Sequence, residues 1–154
     1  MFSLYFILKF IHVAAIVAWI GAILSLNITA IRATRTSDPA VLKVLLDSIT
    51  FTGQRVIGPG SGIALLAGIG MVIQAKIGFM TPWVMWGMAG MLFHFIIGPT
   101  VLRKNGMELG RIAAMPTVDQ AALERVRNKQ KTIAVVYLLV MLSVIWAMVS
   151  KPTF

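Results

Sequence analysis

Phe10-Ile-His-Val-Ala-Ala-Ile-Val-Ala-Trp-Ile-Gly-Ala-Ile-Leu-Ser-Leu-Asn-Ile-Thr-Ala-Ile31 carries no charged side chain. About 20 apolar residues in an α-helix cross the roughly 30 Å of bilayer hydrocarbon, so this stretch is long enough to span a membrane. Outward from it lie three more uncharged runs of similar length, Val56–Ala75, Ile77–Leu102 and Thr132–Ser150. Phe2–Leu8 is apolar too, and a lysine near a helix end can snorkel to the interface, so the first span is expected to start near Phe2, ahead of Lys9. None of the runs alternates apolar and polar residues, and a lipid-facing backbone must satisfy itself internally. Helices are therefore expected rather than barrel strands. The reading is an all-α integral membrane four-helix bundle, one domain over 1–154, with spans near 2–31, 56–75, 80–102 and 130–150. The first span is expected to be retained. Its apolar stretch is too long for a signal peptide and no basic residue precedes it.

Composition agrees. Of 154 residues, 58% are hydrophobic and 12% charged, whereas soluble domains carry about 25% charged residues. That excludes a disordered tail, a coiled coil and an ordinary soluble enzyme. The chain has no cysteine, which removes disulfides, thiolate nucleophiles, zinc fingers and iron–sulfur clusters. Gly58-Pro59-Gly60-Ser61-Gly62 lacks the lysine and spacing of a phosphate-binding loop. No Ser-His-Asp set stands out, and the spans contain no carboxylate for a proton relay.

The net charge of +9 has its source in topology. Eleven of the 14 basic residues and all five acids lie in Arg32–Arg55 and Arg103–Lys131, leaving Lys9, Lys76 and Lys151 elsewhere. The positive-inside rule puts both segments in the cytoplasm, with both termini and the turn at Lys76–Thr81 outside. Nucleic acid is not an expected partner. Within the two segments, Asp38 followed by Pro39 reads as an N-cap and first turn, opening an amphipathic helix expected at the membrane surface. Thr117-Val-Asp-Gln120 reads as a capping box for a helix that runs into the last span.

Glycine and proline punctuate the middle spans at Gly58-Pro59 and Gly98-Pro99, while Gly62, Ala64, Ala67, Gly68 and Gly70 permit close helix approach. Intramembrane polar residues need a reason. Gln74 and Asn27 lie near the outer and inner surfaces, and His12 and His94 lie deeper. At 1.5 Å per residue, His12 sits roughly 12–15 Å below the outer surface and His94 roughly 18 Å. Two neutral imidazoles at matched depth in a bundle can ligate haem iron from both faces. Lys9, His12 and Trp19 share a helical face, with Lys9 one turn outward where it could pair with a propionate. Gly87, Gly90 and His94 share a face of the third span, the glycines leaving a shallow slot. The candidate cofactor-binding residues are thus His12, His94, Lys9, Trp19, Gly87 and Gly90, with His12 and His94 as metal ligands and haem b as the cofactor. The bland reading of the histidines is a pair of hydrogen-bonded core residues. Met85, Met88, Met91 and His94 are copper-type donors, but a spacing of three drifts around a helix, and methionine is common filler in apolar bundles.

Lys9-Phe-Ile-His12-Val-Ala-Ala-Ile-Val-Ala-Trp19-Ile-Gly21 resembles the first span of the HemJ-type protoporphyrinogen oxidases and of CopD-type membrane proteins. Related bacterial four-helix proteins look similar too. Gly58-Pro59 with Gly68 resembles their second span, and Lys151-Pro152-Thr153-Phe154 a HemJ-type C-terminus. The resemblance implies a multi-pass protein of the bacterial inner membrane and associates His12 with haem b. The HemJ pattern also has a functional lysine in the third span, and Ile77–Leu102 has no lysine. HemJ-type activity is therefore not expected, and His94 is the available second ligand. Three functions are open at this stage. One is a b-type haem protein that transfers electrons or acts as an oxidoreductase on a quinone or porphyrin. Another is an accessory subunit of a larger respiratory or photosynthetic complex, and the third is copper handling. Besides the lipid bilayer, the expected partners are a quinone or porphyrin and either a second copy or a larger membrane complex.

Overall fold

The computed structural model describes residues 3–33, 35–36, 38–113, 115–117 and 119–152. The expected start at Phe2, Val118 of the expected capping box, and Thr153 and Phe154 of the C-terminal motif lie outside them. The described residues form six α-helices, α1 (Leu4–Ala33), α2 (Pro39–Thr52), α3 (Gly58–Gln74), α4 (Pro82–Ile97), α5 (Arg103–Ala113) and α6 (Gln120–Ser150). A π turn over Gly53–Ile57 joins α2 to α3, and another over Gly98–Leu102 joins α4 to α5. The result is four long apolar rods, Leu4–Ala33, Ala40–Gln74, Pro82–Ile112 and Gln120–Ser150. An even number of crossings leaves both chain ends on one side of the membrane.

The first rod has the expected length, shifted by two residues, and the other three are longer than the sequence boundaries predict. A rod of 30 residues measures about 45 Å, roughly 15 Å more than the hydrocarbon layer. Charge ends the apolar run but not the helix, because backbone hydrogen bonding continues in water. The expected surface helix is α2, and it is no separate element. It continues into α3 and packs back along α1. The two prolines do not break the rods. Each removes a donor and crowds the preceding turn, and a wider π turn sits at each one. Gly58 N donates to Gly53 O and Arg103 N to Gly98 O across five residues. Asp38 caps α2 as expected, accepting from Ala40 N at 2.8 Å. The cap of α6 is Asp119 rather than Thr117, and its carboxylate accepts from Ala121 N and Ala122 N. Starting two residues later brings both first-turn N–H groups onto one charged acceptor, stronger than a hydroxyl.

α1 packs chiefly on α3, and α4 on α6. Close approach in the first pair rests on small residues. A Cβ on Gly60 would stand 3.3 Å from Trp19 Cβ, and Ser61, Ala64 and Ala67 are buried. One core cluster gathers Ala15, Trp19, Ile23, Ala64, Tyr137 and Met141. A second, at the end bearing the basic segments, gathers Ala30, Leu109, Ile112 and Leu123. Between them runs a polar chain across three rods. Gln130 Nε2 donates to Asn27 Oδ1 at 3.1 Å, and Asn105 Nδ2 donates to Gln130 Oε1 at 3.0 Å. Asn105 and Gln130 are buried, and their amides satisfy each other where water cannot.

Candidate functional site

His12 lies on α1 facing α3. Its Nδ1 is 2.6 Å from the backbone oxygen of Ala64. A carbonyl only accepts, so Nδ1 carries the proton and donates, and in the neutral ring Nε2 keeps the lone pair. One turn further along α3, Gly68 leaves space for the ring, since a Cβ there would stand 2.9 Å from His12 Cε1. The imidazole is half-buried. Lys9, one turn outward, is exposed.

His94 has a different setting. It is 5% exposed, and its Nδ1 is 2.6 Å from the Tyr137 hydroxyl of α6. Its ring meets Trp19 edge-on, with centroids 4.4 Å apart. Trp19 is seven residues beyond His12 in the sequence, a rise of about 10.5 Å along α1. The first-span residue that meets His94 is therefore Trp19, and the depth match expected of His12 and His94 is replaced by an offset of about two turns. Trp19 Nε1 is buried near the Tyr137 hydroxyl without forming a hydrogen bond of good geometry.

The expected slot beside His94 is filled. A Cβ on Gly87 would run into Met148 Cε, and one on Gly90 into Val144 Cγ2. These glycines let α4 and α6 approach. Met85 and Met88 are exposed while His94 points inward, so they do not converge as a copper donor set. No cluster of three or more His, Asp or Glu side chains forms a metal site among the described residues. Gln74 is exposed as expected, and Asn27 belongs to the polar chain.

Sequence reasoning missed Tyr137, Asn105 and Gln130. An interior tyrosine in the last span carries a hydroxyl that needs a buried partner, and that was the available signal for Tyr137. Asn105 and Gln130 lie among charged residues, outside the uncharged runs, and no local pattern marks them as buried.

Four apolar rods enclosing a buried His–Tyr–Trp cluster define a multi-span helical membrane protein. The chain belongs to the DUF2269 family, described as a predicted integral membrane protein, whose profile matches residues 6–152. No curated protein and no solved structure matches it.

Proposed function

We propose that this protein is a membrane b-type haem protein of the bacterial inner membrane, with His12 as the axial ligand, and that it serves electron transfer. The observation that carries the reading is the hydrogen bond from His12 Nδ1 to Ala64 O. Histidines that bind metal nearly always donate their other ring proton to a carbonyl or carboxylate, which fixes the tautomer and the ring plane. Gly68 supports it by shaping the wall against which the ring rests. His12 would hold the iron through Nε2, and Lys9 would meet a propionate at the exposed end of the same face. When bound, the haem would supply a one-electron redox centre. The bis-histidine form expected from the sequence is not part of the proposal, because His94 is held by Tyr137 and Trp19 at another level.

A reduced-minus-oxidised visible spectrum of the purified protein tests the reading. A b-type band is expected in wild type, lost in His12→Ala and retained in His94→Ala. A wild-type protein without the band, or a His12→Ala protein that keeps it, overturns the proposal.

A further inference from the structure

Of the 14 lysine and arginine side chains, Arg127 is the only one that is not exposed. Its side chain keeps 29% of its surface, and its Nε is buried without a partner among the described residues. Nη2 lies 3.7 Å from Glu124 Oε1, too far for a hydrogen bond. A guanidinium carries five N–H donors in a fixed fork, and here none is hydrogen-bonded among the described residues. A cation drawn out of water without hydrogen bonds is costly. Its packed stem holds the fork in place, and an anion that accepts from the Nη groups offsets the cost.

The level of Arg127 in the bilayer sets the kind of anion. The uncharged run of α6 begins at Thr132, five residues later, or about 7 Å along the helix. The polar headgroup layer outside the hydrocarbon is about 5–7 Å thick on each side. Arg127 therefore stands at the level of lipid phosphates. Lys131 is one turn nearer the hydrocarbon on the same face. It is exposed and has no ion pair among the described residues. That face continues through Ala134, Val135 and Leu138, which line an apolar groove open to the lipid side. A free phosphate would use the two cations alone. A phospholipid uses them too, and lays an acyl chain along the apolar part of the same strip. Glu124 offers a competing carboxylate, but it is exposed, and the two cations outweigh it in charge.

We infer that Arg127 and Lys131 form a binding site for the phosphate of an anionic phospholipid, in the leaflet on the side of the basic segments. Occupancy does not involve the haem, so this inference stands or falls apart from that reading.

The test is a titration of the full-length protein in detergent with phosphatidylglycerol, followed by native mass spectrometry, which resolves lipid adducts one by one. A first phosphatidylglycerol is expected to bind more tightly than those that follow. Phosphatidylcholine, whose ammonium compensates its phosphate, should bind more weakly. Arg127→Gln should weaken the first adduct about tenfold, the loss expected for a hydrogen bond to a charged group. Lys131→Gln should weaken it as well, which keeps the test valid if Arg127→Gln fails to fold. Arg111→Gln removes an equal charge from an exposed position on α5 and should leave the first adduct unchanged. Equal affinity for the two lipids would overturn the inference. An unchanged first adduct in folded forms of both Gln variants at the site would also overturn it, by placing the lipid elsewhere. Equal weakening by Arg111→Gln would overturn it by showing a diffuse attraction of the whole basic end. Loss of the adduct to excess inorganic phosphate, beyond the effect of sodium chloride at equal ionic strength, would make the site one for a free anion and overturn the assignment to lipid.

Discussion

Gly68→Ala separates the orientation of His12 from the stability of the fold. The added Cβ would stand 2.9 Å from His12 Cε1 and 3.2 Å from Nδ1. Carbon atoms in contact prefer about 3.5–4.0 Å, so the ring must move by roughly half an ångström or more. The 2.6 Å hydrogen bond to Ala64 O cannot keep its geometry through such a shift. Its loss costs about 0.5–1.5 kcal/mol. Replacing glycine by alanine inside a helix returns roughly 0.5–1 kcal/mol. The two effects nearly cancel, so the unfolding temperature should barely change. Haem affinity should respond differently, because losing the partner that orients a ligating histidine typically costs about 10–100-fold. The assay is a haemin titration of the purified apoprotein in detergent, run beside thermal unfolding. A Gly68→Ala protein that binds haem as tightly as wild type would refute the claim that the Ala64 carbonyl orients the ligand. A large loss of stability would refute the claim that the imidazole is the only group displaced.

Reporter fusions should show cytoplasmic activity after Arg35 and after Arg111 and none after Lys151, and the reverse pattern would invert the topology. Expression in a strain lacking HemJ-type protoporphyrinogen oxidase should not restore growth, because Ile77–Leu102 offers no lysine, and rescue at normal expression would show that another group can stand in. Gln130→Leu strands the Asn27 oxygen and leaves the Asn105 amide only its longer bond to Val126 O. It should lower stability by about 0.6–1.7 kcal/mol, measured by unfolding in mixed detergent, and an unchanged midpoint would show that the polar chain contributes nothing.

The rods were legible in the sequence because bilayer thickness sets a length and the basic residues sort by side. Asp38 was legible because a cap is a local matter of one side chain and the next few N–H groups. Depth within the bundle was not. Counting residues from the membrane surface assumes parallel rods entering at the same height, whereas the packing sets His94 beside Trp19 instead of His12. Helical faces can be read from spacing, but spacing does not name the neighbour. Gly87 and Gly90 do share the face of His94, and that face meets Met148 and Val144. Gly68 was read as a packing residue, and no pattern within its own helix indicates that a histidine lies against it. The continuity of α2 with α3 was hidden because Pro59 reads as an interruption until the wider turn before it is seen.

That wider turn has a bearing on which length changes the chain can absorb. A π turn is an α-helix holding one residue too many. Removing Gln54 would let the helix close into ordinary winding, with the faces on either side still pointing where they do now. Removing Leu65, in the uniform stretch of α3, has no slack to draw on. Everything beyond it would swing by about 100°, the angle of one residue, and the wall opposite His12 would present Ile69 where Gly68 now stands. The same one-residue loss is thus a local tightening at one site and a misalignment of the whole far end of the helix at the other.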